Sequence, residues 1–274
     1  MREPDAAGKR FLSDLTRNRT PIDASAVGLI VAHPDDESIS CGGQLARMSG
    51  VSVVLVTDGA PRNLHDARTY GFATAADYAR ARAAEFRTAM QLATVQNVIR
   101  IEIPDQDAAR ELTPLTRALA DILFARGIRV AITHAFEGGH PDHDATSFAV
   151  HAAKKLLERR RYSVAVIEVP FYHLGATEMV VQSFAHAADG LERSLALDAE
   201  AQAQKRRLLD VYITQRPTLS AFRIDLERFR PAPAYPFDSI PNAGRVLYDN
   251  YSWGLRGKEW RTLARESLDQ LGLE

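Results

Sequence analysis

From about residue 27 the chain alternates short, apolar, β-branched runs with longer stretches of helical periodicity. The apolar runs predict strands at Val27–Ala32, Val51–Thr57, Asn97–Ile103, Arg129–Thr133 and Ser163–Val169. Runs such as VSVVLVT and VAVIEV are apolar almost throughout rather than at alternate positions, as in strands buried on both faces. Helical patterns lie between them at about Gly43–Ser49, Ala76–Ala93, Glu111–Arg126 and His143–Arg160; Leu115, Leu119, Ile122 and Leu123 show the spacing. Regular alternation of strand and helix implies an α/β fold. Its sheet should be open, mostly parallel and doubly wound (Rossmann-like), with right-handed crossovers and helices on both faces.

Residues 1–25 are charged and carry no strand pattern, which predicts an N-terminal helix or arm. Beyond about residue 170 the character changes. EMVVQSF and SLALD read as strands, Ala199–Tyr212 as a charged helix, and a Pro-rich stretch follows with Pro231, Pro233, Pro236 and Pro241. No flexible linker intervenes, so residues 1–274 read as one domain. Its core spans about 27–170 and a C-terminal elaboration about 171–274.

Composition narrows the function classes. With 46% hydrophobic and 25% charged residues the chain is globular rather than disordered. A net charge of −1 removes the electrostatic case for nucleic acid or an anionic membrane surface. The single cysteine, Cys41, excludes an internal disulfide and a Cys-based zinc cluster. No apolar stretch is long enough to span a bilayer, and the first residues lack a signal-peptide apolar core, so the cytoplasm is the expected location.

Two motifs carry chemistry. AHPDDE, Ala32 to Glu37, follows the first strand; GGHPDHDA, Gly138 to Ala145, follows the fourth. Pro34 holds His33 extended where the chain begins to turn, and Gly138 and Gly139 allow close backbone approach. In a doubly wound sheet of order 3-2-1-4-5 the first and fourth strands are neighbours, and ligands bind at the switch point beyond their carboxyl ends. The two loops, about a hundred residues apart, therefore converge. A catalytic zinc takes three His or carboxylate ligands and leaves one position for water; His33, Asp36 and His143 supply that set. Asp35, beside a ligand but not needed for ligation, is the expected general base. His140 can face the substrate as oxyanion stabiliser or acid, with Asp142 orienting its ring. Together they make a kit for hydrolysing an amide.

At these residues the sequence resembles the PIG-L/LmbE-like deacetylases, zinc enzymes that remove the N-acetyl group from glucosamine-containing molecules. Further matches are CGG at Cys41–Gly43, VTDG at Val56–Gly59, RAAEFRTAMQLA at Arg82–Ala93, IPDQ at Ile103–Gln106 and KRRLLDVYITQ at Lys205–Gln215. The resemblance covers roughly residues 27–230. It implies the same metal ligands (His33, Asp36, His143), the same base (Asp35), and His140 with Asp142 as the second catalytic pair. It also implies Zn²⁺ as cofactor, although Fe²⁺ or another divalent metal suits the same donors. The implied substrate is a small-molecule or glycoconjugate amino sugar. Two positions depart from the family: Gly138 stands where some members have Tyr, and Ala60 where many have Glu.

Other residues have two readings each. Asp58 can hydrogen-bond a sugar hydroxyl or close a turn with Gly59. Arg62 lies in the long polar loop Ala60–Ala75, a candidate substrate wall. Arg82 faces the pocket in the family picture, whereas Glu85, three residues on, suits an intrahelical pair. Asp105 follows the third strand and reaches the crevice side. Trp253 and Trp260 can line a sugar site or a subunit contact, but core packing is the simpler reading. A homo-oligomer is compatible with the sequence. Two rival functions stand beside the deacetylase. One is a non-haem Fe(II) oxygenase with a 2-His-1-carboxylate site, marked by oxygen uptake dependent on a 2-oxo acid. The other is a non-catalytic glycan-binding relative, marked by tight binding without acetate release.

Overall fold

The computed structural model describes residues 4–17, 21–186 and 191–273. The five apolar runs form β1 (Val27–Val31), β2 (Ser52–Thr57), β3 (Asn97–Ile103), β4 (Val130–His134) and β5 (Ala165–Val169). They lie parallel in the spatial order β3-β2-β1-β4-β5, the order expected from the alternation. Two strands of the C-terminal elaboration extend this sheet. β7 (Leu226–Pro231) pairs antiparallel with β5, and β6 (Arg193–Ala196) antiparallel with β7, giving seven strands.

Alternate side chains of each strand point to opposite faces, and each face has its own apolar core. Leu29, Val31, Val53, Leu55, Ile132 and Ile167 pack beneath α1 (Pro4–Thr16), α4 (Ala75–Leu92) and α7 (Ala199–Leu209) through Phe11, Phe86 and Leu208. Ile30, Val54, Val56, Ala131 and Val166 pack against α5 (Leu112–Ala125), α6 (Pro141–Arg159) and α8 (Gly257–Leu271) through Leu119, Phe148 and Trp260. Burial on both sides explains why the central strands read as continuous apolar runs. β3, at the sheet edge, instead alternates half-buried and exposed residues.

One expected helix is misplaced. The helix lies at α2 (Asp36–Cys41), and Gly43–Ser49 holds only a 3₁₀ turn at Leu45–Arg47 and a short strand at Met48–Ser49 that pairs with Ile22–Asp23. Gly42 and Gly43 end the helix. A Cβ on Gly42 would press on Lys205, and the Gly43 N–H is drawn to Glu227 Oε1 at 2.8 Å. The loop Ala60–Ala75 also contains a short helix, α3 (His65–Thr69), whose Ala67 packs with Ala60 and Tyr78.

Candidate active site

Both His-Pro-Asp loops leave the carboxyl ends of adjacent strands. Their roots are tied together where the Ala32 N–H donates to His134 Nε2 at 2.9 Å. After β4, Gly138 takes φ +70° and Gly139 passes so close to the Tyr172 carbonyl that no side chain fits there. His140 then caps α6, with Pro141 in its first turn, and its Nδ1 accepts the Asp142 N–H at 3.2 Å. An accepting Nδ1 places the proton of the neutral ring on Nε2.

The first loop bends sharply. Asp35 has φ +124°, a conformation that L side chains rarely adopt. The Asp36 carboxylate turns back to accept the His33 N–H at 2.7 Å. Two ring nitrogens and both Asp36 oxygens then face one another: His33 Nδ1 lies 3.2 Å from His143 Nε2, Asp36 Oδ2 lies 3.4 Å from His33 Nδ1, and Asp36 Oδ1 lies 3.4 Å from His143 Nε2. Four donors at about 2.0–2.1 Å around a tetrahedral metal are roughly 3.3 Å apart, so this triangle of side chains, with one ligand atom from each within 4.8 Å of the others, suits a divalent cation. His33, Asp105, His140 and Asp142 converge as a second set that shares His33. In that set the Asp142 carboxylate already accepts the N–H groups of Gln106 (2.6 Å) and Ala108 (3.1 Å).

The electrostatics divide the carboxyl groups. Burial acts to raise Asp36, but the facing His143 and His134 imidazoles outweigh it and hold the group well below the usual carboxylate range. Burial pushes Asp35 well above that range, only partly opposed by Arg82, and it pushes Asp142 up to about 6. Burial also lowers His134, His140 and His143. At His33 the carboxylates of Asp105, Asp142 and Asp36 overcome the burial effect and raise the ring. An ionised Asp36 beside a neutral His143 matches what metal ligation demands of those two groups.

A cavity of about 130 Å³ opens over these groups. It is lined by Asp35, Asp105, His140 and Arg82, and also by Asp66, Gln106, Tyr172, Gln215, Phe222 and Trp253. Arg82 Nη2 holds the Pro34 carbonyl at 2.6 Å and approaches Asp35 Oδ2 at 3.3 Å. Glu85 turns away from Arg82 and accepts from Thr214.

Several expectations need correction. The Asp142 carboxylate does not reach the His140 ring; it lies 3.3 Å from His33 Nε2, because the amides of residues 106 and 108 draw it towards β3. Only its backbone N–H touches His140. Asp58 and Arg62 stand outside the cavity. Asp58 closes its turn by accepting from the Ala60 and Asp105 amides, and Arg62 pairs with its other oxygen at 2.6 Å. Trp260 is core, as expected, but Trp253 lies against His140 with ring centroids 4.6 Å apart, and Tyr251 stacks behind it. Asp66, Tyr172 and Phe222 gave no sign of this location, since no motif or spacing marks them, whereas Gln215 closes the matched segment Lys205–Gln215.

Residues 29–154 match the family model described as PIG-L: GlcNAc-PI de-N-acetylase. The PIG-L match includes both His-Pro-Asp loops and bears out the resemblance seen in the motifs. No curated protein matches the chain. Among solved structures, the A40926 pseudoaglycone deacetylase is 18% identical with a TM-score of 0.58, over 78% of this chain and 100% of its own. The zinc-inhibited form of teicoplanin deacetylase is 16% identical with a TM-score of 0.55, over 75% and 97%. N,N'-diacetylchitobiose deacetylase from Pyrococcus horikoshii is 18% identical with a TM-score of 0.55, over 84% and 92%. At such identities the likeness establishes a common fold.

Proposed function

We propose that this protein is a metal-dependent N-deacetylase, with zinc the favoured cation, acting on an N-acetylated amino sugar that is free or part of a glycoconjugate. The observation that carries the reading is the triangle of side chains His33, Asp36 and His143, with the ring nitrogens 3.2 Å apart, a different Asp36 oxygen 3.4 Å from each, and the Asp35 carboxyl beside them. The family description and the substrates named for the similar structures agree with it. The second donor set is less suited, because Asp142 is already committed to two backbone amides.

His33, Asp36 and His143 hold the cation, which when bound supplies Lewis acidity toward the acetyl carbonyl and the attacking water. Asp35 accepts the proton of that water. Burial raises its affinity for a proton, which suits the accepting step. His140 presents Nε2–H to the carbonyl oxygen as negative charge develops, and proton delivery to the departing amine restores the carboxylate. Arg82 fixes the loop that carries the base, and Asp105 and Gln106 line the cavity where sugar hydroxyls would lie.

The test is acetate release from a panel of N-acetylglucosaminides by the zinc-loaded protein. Turnover is expected for wild type and not for Asp35→Ala. Retention of turnover by Asp35→Ala would overturn the mechanism.

A further inference from the structure

The segment Lys205–Gln215 contributes only Gln215 to the cavity, yet three more of its polar side chains, Lys205, Tyr212 and Thr214, end on the structures that hold the cavity together. Lys205 Nζ donates to the Ile39 carbonyl of α2 at 2.7 Å and pairs with Glu227 at 3.1 Å. Thr214 donates to Glu85 through its N–H (3.0 Å) and its hydroxyl (2.6 Å), one turn along α4 from Arg82. Tyr212, fully buried, donates its hydroxyl to Glu37 Oε1 at 2.5 Å.

Glu37 is a junction. Oε1 also accepts from Ser38 Oγ at 2.6 Å, and Oε2 accepts the Asp35 N–H at 3.1 Å. Three donors meet one side chain, and truncating it to alanine would leave all three without this acceptor. The bond to the Asp35 amide falls on the residue whose backbone is strained at φ +124°. Such strain persists only where the surroundings over-determine it. The holds on this turn include the Ser38 and Ile39 amides on the Asp35 carbonyl, Glu37 on the Asp35 amide, and Arg82 on the Pro34 carbonyl and the Asp35 carboxylate.

We propose that Tyr212 and Glu37 form a positioning strut that keeps Asp35 in its strained, base-competent geometry. The strut reaches from the C-terminal elaboration to the first loop and explains why Tyr212 sits where it does. The kinetic part of the proposal rests on the base role given to Asp35 above. A side chain held a fraction of an ångström off its working position loses rate without losing substrate affinity, because binding uses other groups.

The experiment compares Tyr212→Phe and Glu37→Ala with Tyr162→Phe. The Tyr162 hydroxyl is also buried, donating to the Ile128 carbonyl at 2.9 Å, but at the opposite end of the sheet. For Tyr212→Phe and Glu37→Ala, kcat is expected to fall about 10–100-fold with KM changed less than about twofold. Zinc affinity should stay at the wild-type value. Tyr162→Phe should lower the melting temperature comparably and leave kcat unchanged. Hydrogen exchange of amides 33–38 supplies a readout that needs no substrate. At matched global stability it should be about tenfold faster in Tyr212→Phe than in Tyr162→Phe. Wild-type kcat in Tyr212→Phe, or unchanged exchange of amides 33–38, overturns the strut. If wild type cleaves no N-acetylglucosaminide, the deacetylase reading falls on its own and the exchange result still decides the strut.

Discussion

At the scale of single residues, two histidines three positions apart have separable roles. His143 Nε2 completes the donor triangle, whereas His140 spends Nδ1 on a backbone N–H and keeps Nε2 for the cavity. His143→Ala should therefore lose zinc affinity in a calorimetric titration. His140→Ala should bind zinc like wild type while acetate release falls by about 10²–10⁴-fold. Equal loss of zinc by both variants would erase the distinction. The triangle residues were legible in the sequence because their positions within six- and four-residue motifs follow directly from ligand chemistry. Tyr172 and Phe222 were not, because they arrive from separate segments whose local pattern serves packing. Asp58 and Arg62 looked like rim residues because they follow β2 on the site's side, but Asp58 spends one oxygen on the Ala60 and Asp105 amides and the other on Arg62, outside the cavity.

At the scale of elements, the docking of α7 on the sheet depends on an ion pair removed from water. Lys205 and Glu227 are both fully buried and 3.1 Å apart, and Lys205 also satisfies the Ile39 carbonyl. Removing one partner strands the other charge, so Lys205→Met is expected to cost about 3–5 kcal/mol in urea unfolding. The double variant Lys205→Met/Glu227→Gln should recover part of that loss. Equal stability of single and double variants would refute the coupling. A different long-range contact bears on why Gly43–Ser49 is not a helix. The local pattern has apolar residues at helical spacing, but Met48–Ser49 is taken up as a strand beside Ile22–Asp23. Long-range competition of this kind leaves no mark in a short window of sequence. Strand existence and order were legible, since two-sided burial writes itself into every residue of β1, β2 and β4.

At the scale of the whole molecule, ligand and proton linkage both act on stability. A cation that binds only the folded chain stabilises it by ~2.7 kcal/mol at a hundredfold excess over its Kd. Zinc should thus raise the melting temperature, EDTA should reverse the rise, and His33→Ala should abolish it. Away from the triangle, burial pushes Glu137 from 4.5 up to about 8. A group with a raised folded pKa binds its proton more tightly when folded. Its stabilising contribution is complete below 4.5 and is lost as the pH climbs toward 8. Glu137→Gln, which cannot ionise, should therefore flatten the fall in melting temperature between pH 5 and 8. A parallel fall in both proteins would show that other groups set it.

The bond from the Ala32 amide to His134 bridges 102 positions of chain, and the donors it brings together belong to strands that become neighbours only when the sheet closes. Neither half of the polypeptide owns the centre. A chain cut in the turn at Gly127 should give two fragments with ordinary, weak affinity for zinc. Tight binding should return only on mixing, at the rate of reassociation, which would make zinc capture a direct clock for the last stage of assembly.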